Sequence, residues 1–147
     1  MIYTKMTIKA MDVAFSAHFG QKDKAGAPYI LHPLHIAEGM PDEDLTVVAL
    51  LHDVIEETDF NASDLRKLGF TPTQVEAVVA MTRKKDEQYF DYIKRVKAND
   101  LAKIVKLADL KHNSDKSRLL TLPQEEQDKM IKLIDDRYKK AIKILKE

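Results

Sequence analysis

The chain has 147 residues, 44% of them apolar, which is enough to bury the core of one domain. It contains no cysteine, so disulfides and thiolate metal sites are excluded, and its zero net charge argues against a protein that wraps nucleic acid. No apolar run approaches a membrane span, and the N-terminus lacks a signal-peptide core. We therefore expect one cytoplasmic domain, residues 1–147, that contacts neither nucleic acid nor membrane; its oligomeric state stays open.

Helical periodicity dominates the sequence from end to end. No alternating pattern bounded by hairpin turns predicts a strand. A loop rich in glycine and proline separates the first helix from the second, and Gly69 is placed to end a short helix. The sequence predicts an all-α fold of about six to eight helices. In chain order these are 7–19, a short helix from Pro33, a helix capped by Asp42 or Glu43, 61–68, a helix capped by Thr71, 88–97, 100–112 and 125–146.

The segment LTVVALLHDVIEETD, Leu45–Asp59, begins as a core helix and then carries an imidazole and several carboxylates. On a continuous helix, His52 and Glu56 share one face, as do Asp53 and Glu57. A buried carboxylate must be paired, protonated or bound to metal, and apolar residues surround Asp53 in the sequence. This pattern predicts a metal site, although a His-Asp dipeptide alone also occurs by chance.

A second acid lies within the apolar stripe of the segment DLAKIVKLADLKHNSD. Asp109 follows Val105 by four positions, and Asn113 follows Asp109 by four, so the two polar residues share a face that borders the core. A helix cap or an interhelical salt bridge would also explain Asp109. Because a metal site is already indicated, we favour Asp109 as a ligand.

The third polar block is PYILHPLHIAE, in which His32 immediately precedes Pro33 at the entry to a helix. His35 is either a further ligand or an ordinary packing residue. His32, His52, Asp53 and Asp109 make a set of two imidazoles and two carboxylates. Such a set suits manganese, iron or zinc better than magnesium.

The order of these blocks, GQ-x-x-K-x-G-x-PYI-x-HP, LLHDVIEET and KLAD-x-x-HN, resembles the HD-type hydrolase domain of Rel/Spo-type stringent-response enzymes and their small stand-alone relatives. These are (p)ppGpp pyrophosphohydrolases. The resemblance covers residues 10–113 and implies a helical domain that breaks down nucleotides, with no synthetase domain in the chain.

The resemblance also assigns roles to individual residues. It implies that His32, His52, Asp53 and Asp109 bind one Mn²⁺, that Glu56 and Glu57 serve catalysis, and that Asn113 holds the substrate. A metal ion would lower the pKa of a water, and Glu56 is our first choice for the acid that contacts this water. The remaining substrate candidates are Lys24, Lys22, Tyr29, Arg83, Lys84, Lys106 and Arg137, each of which is also explained as a surface or packing residue.

Several positions depart from the family pattern around the nucleotide base. Asp23 stands where the family usually has a base-stacking arginine, and Glu57 replaces an aspartate. Leu110, Lys111 and Lys116 replace an arginine, a leucine and a small hydroxyl residue. The expected function is release of pyrophosphate from (p)ppGpp or a related 3′-pyrophosphorylated nucleotide. The alternatives are a nucleotidase or phosphodiesterase acting on another nucleotide, a metal-containing nucleotide sensor, and a purely structural helical domain.

Overall fold

The computed structural model describes residues 1–147, and its regular secondary structure is helical apart from one isolated bridge between Lys22 and Pro28. It has nine numbered helices, of which α4 is a single turn, and a short 3₁₀ helix, Lys116–Leu119, so the predicted all-α fold is confirmed with more helices than the six to eight expected. The helices are α1 (Lys5–Ala17), α2 (Leu31–Glu38), α3 (Glu43–Leu51), α4 (Val54–Glu57), α5 (Ala62–Lys67), α6 (Pro72–Met81), α7 (Tyr89–Lys97), α8 (Asp100–Asn113) and α9 (124–146).

Most helix ends follow from local side-chain chemistry. Asp42 caps α3 and Thr71 caps α6, in each case by accepting a hydrogen bond from a backbone N–H of the first turn. Pro72 occupies the first position of α6, as predicted. Gly69, with a φ of +94°, follows the C-cap of α5 in the left-handed conformation that favours glycine.

Three boundaries differ from the sequence prediction. Helix α2 begins at Leu31, so Pro33 is its third residue, where the missing N–H has no intrahelical partner to lose. The final helix is continuous but contains a π-helical segment, Ile134–Tyr138. The prediction of one unbroken helix through the 45–59 segment is wrong, because His52 and Asp53 lie in a break between α3 and α4.

Helix α3 runs through the centre of the molecule. Every residue from Leu45 to Leu51 is buried, and the helix packs against α1, α2, α6 and α8. The 26 buried apolar residues of the main core surround it. As a result, the chain leaves the core at His52, which places this side chain and Asp53 where α2 and α8 also meet. No helix has both the length and the apolarity that a bilayer span requires.

Candidate metal centre and adjoining cavities

The four predicted metal ligands come together from three parts of the chain. His32 lies in the first turn of α2, His52 and Asp53 lie in the break after α3, and Asp109 lies on α8. The two imidazole Nε2 atoms face the same carboxylates: His32 Nε2 is 2.9 Å from Asp109 Oδ1 and 3.9 Å from Asp53 Oδ2. His52 Nε2 is 3.1 Å from Asp53 Oδ2 and 3.6 Å from Asp109 Oδ1. We call these four residues the metal cluster.

The orientation of His52 leaves a nitrogen free for a cation. Its Nδ1 donates to the carbonyl of Ala49 at 2.6 Å, which fixes the ring. Its Nε2 is buried and has no hydrogen-bond partner, although two carboxylates lie nearby. A buried nitrogen surrounded by negative oxygen atoms requires a proton or a metal ion.

The ring of His32 is held in a similar way. Its Nδ1 lies 2.7 Å from Nδ1 of His112. Burial and the nearby Arg118 guanidinium lower the pKa of His112 to about 4, so at neutral pH His112 is uncharged and one of the two Nδ1 atoms donates to the other. His35 stacks on His112, with ring centroids 4.0 Å apart. His35 therefore supports the ring that orients His32 and is not itself among the converging ligand atoms.

Both carboxylates of the metal cluster are ionised. Burial raises their pKa values, but His52 beside Asp53 and Lys106 beside Asp109 outweigh this effect and lower them, that of Asp53 to about 2. Lys106 donates to Asp109 Oδ2 at 2.9 Å, and the Tyr29 hydroxyl donates to Asp53 Oδ2 at 2.5 Å. Tyr29 thus contacts a ligand, a role that its position beside a proline did not reveal.

The arrangement can hold a divalent metal ion. The ligand atoms of His32, His52 and Asp109 all lie within 4.8 Å of one another, and Asp53 adds an oxygen 3.1 and 3.9 Å from the two imidazole nitrogens. Two nitrogen and two charged oxygen donors form a set that transition-metal ions accept. The unpartnered Nε2 of His52 is explained directly by such an ion.

The two candidate catalytic acids lie beside the metal cluster on α4. Glu56 and Glu57 line a cavity of about 240 Å³ together with Asp53 and Asp109. Glu56 Oε1 accepts a hydrogen bond from the backbone N–H of Arg83 at 2.7 Å. Partial burial and the negative charge of Asp53 raise the pKa of both acids, which makes both carboxylates stronger bases.

The wall of this smaller cavity also carries cationic and aromatic side chains. Arg83, Lys106 and Arg137 line it, and neither arginine has a carboxylate within ion-pair distance. The hydroxyl of Tyr89, which also lines the cavity, is buried without a hydrogen-bond partner. Three of the four cations that the sequence left undecided therefore lie in one place, whereas Lys84 is outside it.

A larger cavity of about 360 Å³ adjoins the first through Tyr29, Glu57, Asn113 and Tyr138, which line both. Lys22 and Lys24 lie on its rim. Lys24 Nζ is 3.3 Å from Met130 Sδ and forms no ion pair. Asn113 donates to Asp109 Oδ1 at 3.0 Å, so it connects the metal cluster to this cavity.

Sequence reasoning missed two functional candidates, His112 and Arg118. His112 follows Asp109 by three positions, so the two side chains share a helix face, and this spacing was a signal that could have identified it. Arg118 lies in the larger cavity and pairs with Asp23, 95 residues earlier, at 3.5 Å. Nothing in the local sequence around Asp23 or Arg118 indicates that the two side chains pair.

Comparison with known proteins gives a consistent set of relatives, although no family model matches the chain. A guanosine-3′,5′-bis(diphosphate) 3′-pyrophosphohydrolase from Borreliella burgdorferi is 31% identical over 145 residues, covering 87% of this chain and 21% of that protein. The bifunctional (p)ppGpp synthase/hydrolase SpoT of Escherichia coli K12 is 36% identical over 116 residues, covering 69% of this chain and 16% of that protein. The chain thus spans only about a fifth of the length of these relatives.

A solved structure matches over nearly the whole chain. It is described as a metazoan ortholog of SpoT that hydrolyses ppGpp and plays a role in starvation responses. The two structures superpose with a TM-score of 0.69 at 25% identity, and the match covers 99% of this chain and 94% of the other. The helical architecture around the metal cluster is therefore shared with that protein.

Proposed function

The chain is an HD-type domain that resembles the (p)ppGpp hydrolase domain of Rel/Spo-type enzymes, and we propose that it releases pyrophosphate from (p)ppGpp or a related 3′-pyrophosphorylated nucleotide. The observation that carries this proposal is the smaller cavity. Two carboxylates of the metal cluster and two further acids line it together with three cations, of which Lys106 is paired with Asp109 and the two arginines are free of carboxylates. Such a cavity accommodates a pyrophosphate group close to both a hydrolytic centre and cationic counter-charges.

We propose Mn²⁺ as the metal, held by His32, His52, Asp53 and Asp109. The mixed nitrogen and oxygen donors favour a transition-metal ion over magnesium, and the resemblance favours manganese among these. When bound, the metal supplies Lewis acidity that activates a water and polarises a phosphoryl oxygen.

We assign the removal of the water proton to Glu56, with Glu57 as its neighbour on α4. Glu56 is held at one oxygen by the N–H of Arg83, so its carboxylate has a fixed position beside the metal cluster. Its raised pKa makes it a better proton acceptor than an ordinary surface glutamate. In the overall reaction water adds to phosphorus, the bond between phosphorus and the ribose 3′-oxygen breaks, and that oxygen takes a proton.

Three groups in the wall of the smaller cavity can bind the pyrophosphate that is transferred to water. Arg83 and Arg137 carry charges that no carboxylate neutralises, and the Tyr89 hydroxyl is a free donor. We propose that these three groups bind the pyrophosphate oxygens and stabilise the charge that develops on them. The nucleoside then extends past Tyr29 and Asn113 into the larger cavity, where Lys24 lies at the rim.

We further propose that residues 1–147 act as one hydrolase domain in the cytoplasm. The C-terminal helix α9 packs against α7 and α8, and its Arg137 and Tyr138 line the smaller cavity. The last helix is therefore part of the site.

A nucleotide panel tests the proposal. It includes ppGpp, pppGpp, other 3′-pyrophosphorylated nucleotides, deoxynucleoside triphosphates and cyclic nucleotides, each with Mn²⁺ and with a chelator. We expect Mn²⁺-dependent release of pyrophosphate from ppGpp and its loss in Asp53→Ala. Turnover of another nucleotide instead supports the second candidate, a nucleotidase with a different base preference, which the replacement at Asp23 favours. Metal and nucleotide binding without any turnover would identify a sensor and contradict the proposal.

A further inference from the structure

Among the three arginines that line the two cavities, Arg118 alone has no aromatic ring against its guanidinium group. It follows α8 in the short 3₁₀ helix Lys116–Leu119 and extends into the larger cavity, with its side chain 25% exposed. The guanidinium groups of Arg83, Arg95 and Arg137 each lie over a tyrosine ring. Arg118 has no ring against it.

The contacts of Arg118 fall on the edge of its guanidinium group. Nη1 donates to the carbonyl of His112 at 3.0 Å and to Asn113 Oδ1 at 3.2 Å, and Nη2 is 3.5 Å from Asp23 Oδ2. Because the N–H bonds of a guanidinium lie in its plane, these acceptors hold the group without covering its flat faces.

Both carboxylate oxygens of Asp23 are engaged, one with its own loop and one with Arg118. Its Oδ1 accepts hydrogen bonds from the backbone N–H groups of Ala25 and Ala27, at 3.0 and 2.9 Å, which fixes the loop. Its Oδ2 faces Arg118. The pair cancels in charge, so Arg118 is a poorer phosphate ligand than Arg83 and Arg137, which lack carboxylate partners.

Part of the wall of this cavity suits the flat face of a ring. Leu119, Leu122 and Met130 form an apolar wall, and Tyr138 lies where the two cavities meet. A nucleoside attached to a phosphate in the smaller cavity would place its base in this larger one.

We infer that Arg118 stacks on the purine base of the substrate, and that Asp23 is the positioning residue that holds it there. The inference rests on the proposed function, because it takes the larger cavity as the nucleoside site. The inference explains why the loop after α1 can carry the carboxylate of Asp23. Arg118 supplies the planar cation, and Asp23 orients it.

Calorimetric binding of the two reaction products to the Mn²⁺-loaded protein tests this inference. Guanosine diphosphate carries the base and pyrophosphate does not, and neither requires turnover. We expect Arg118→Ala to weaken guanosine diphosphate binding by about tenfold, which is about 1.4 kcal/mol, and to change pyrophosphate binding by less than about twofold. Arg118→Lys should show the same loss, since an ammonium group lacks a planar face.

Asp23→Asn keeps an oxygen for the two loop N–H groups but removes the ion pair, so we expect guanosine diphosphate binding to weaken by about threefold. The exposed Arg66 on α5 is the matched control, and Arg66→Ala should bind both products as the wild type does.

If Arg118→Ala weakened the binding of guanosine diphosphate and of pyrophosphate equally, Arg118 would be a phosphate ligand and the inference would be overturned. Wild-type binding of guanosine diphosphate by Arg118→Ala, or no binding of it by the unaltered protein, would overturn it too. The ppGpp assay tests the proposed function separately. If Arg118→Ala selectively weakened guanosine diphosphate binding while the unaltered protein hydrolysed no nucleotide, the role of Arg118 would be supported and the hydrolase function refuted.

Discussion

Two clusters of charge in this molecule satisfy their hydrogen-bonding groups to very different degrees. Arg95 donates to both carboxylate oxygens of Glu87, at 3.0 and 2.9 Å, and to the carbonyls of Ala80 and Thr82, at 3.1 and 2.9 Å. This cluster is complete within the protein. In the metal cluster two ionised carboxylates face two imidazoles, and a buried nitrogen of His52 has no hydrogen-bond partner.

The difference indicates that the Arg95 cluster stabilises the fold, whereas the metal cluster is built to bind a ligand. A buried polar group without a partner costs about 1–3 kcal/mol, so a fold retains such a group where something else binds it. The Arg95 cluster connects α6, α7 and the loop between them, and it requires nothing from solution. The metal cluster requires a cation.

The largest test of this distinction is Asp109→Asn, which keeps the shape of the side chain and removes its charge. The variant loses the charge that pairs with Lys106 and one anionic ligand, so we expect Mn²⁺ affinity to fall at least about 100-fold and ppGpp hydrolysis at least about 1000-fold. Metal content and pyrophosphate release measure the two effects. Asp135→Asn on α9, whose side chain pairs with Lys139 at the surface, is the control. Full activity in Asp109→Asn would exclude it as a ligand.

A smaller loss is expected for Glu56→Gln, because this residue lies beside the metal cluster without belonging to it. We expect kcat to fall about 100-fold with unchanged metal content, since the amide accepts no proton. Glu57→Gln is the matched variant on the same turn. A greater loss in Glu57→Gln than in Glu56→Gln would transfer the role of base to Glu57.

Arg95→Ala should give the opposite result, a change in stability without a change in chemistry. The variant leaves the carbonyls of Ala80 and Thr82 without their donor, so we expect the melting temperature to fall by ~5 °C. Mn²⁺ affinity of the folded protein should stay within about twofold of the wild type. A large loss of metal affinity would show that the two clusters are coupled, contrary to the comparison.

Sequence reasoning predicted most of the helical framework, because caps and breakers act locally. Thr71 with Pro72 and Asn61 with Gly69 mark helix ends through contacts within a few residues. The break at His52 was not predictable from periodicity, since the apolar pattern continues past it in Val54 and Ile55.

The site was predictable to the extent that its residues carry distinctive chemistry. Burying an imidazole or a carboxylate without a partner costs free energy, so such residues in apolar segments are expected to contact one another. The four ligand candidates do lie within contact distance of one another. The contacts of Tyr29 with Asp53, and of Arg118 with Asp23, join distant parts of the chain. Such contacts depend on how α1, α2 and α8 pack, and no local spacing encodes that packing.

The smallest predicted effect concerns pH, and it follows from the proton that a metal ion must replace. Burial lowers the pKa of His52, but Asp53 and Asp109 outweigh this and raise the pKa well above 6.5 in the metal-free protein. Metal binding therefore releases this proton, whereas Asp53 and Asp109, whose pKa values are lowered, have none to release at neutral pH. We expect Mn²⁺ affinity, measured by competition with a chelator, to rise by about tenfold per pH unit up to the pKa of His52.

The stability of the metal-free protein should change in the opposite direction. A raised pKa contributes stability that is complete below the unfolded value of 6.5 and is lost as pH rises through the folded pKa. The melting temperature of the metal-free protein should thus fall across this pH interval, while Mn²⁺ stabilises the protein more strongly. The difference in melting temperature between the Mn²⁺-loaded and the metal-free protein should therefore increase with pH. The Arg95 cluster contains no group that titrates near neutral pH, so it cannot produce this divergence. If the two melting temperatures changed with pH in parallel, His52 would carry no proton for the metal to displace.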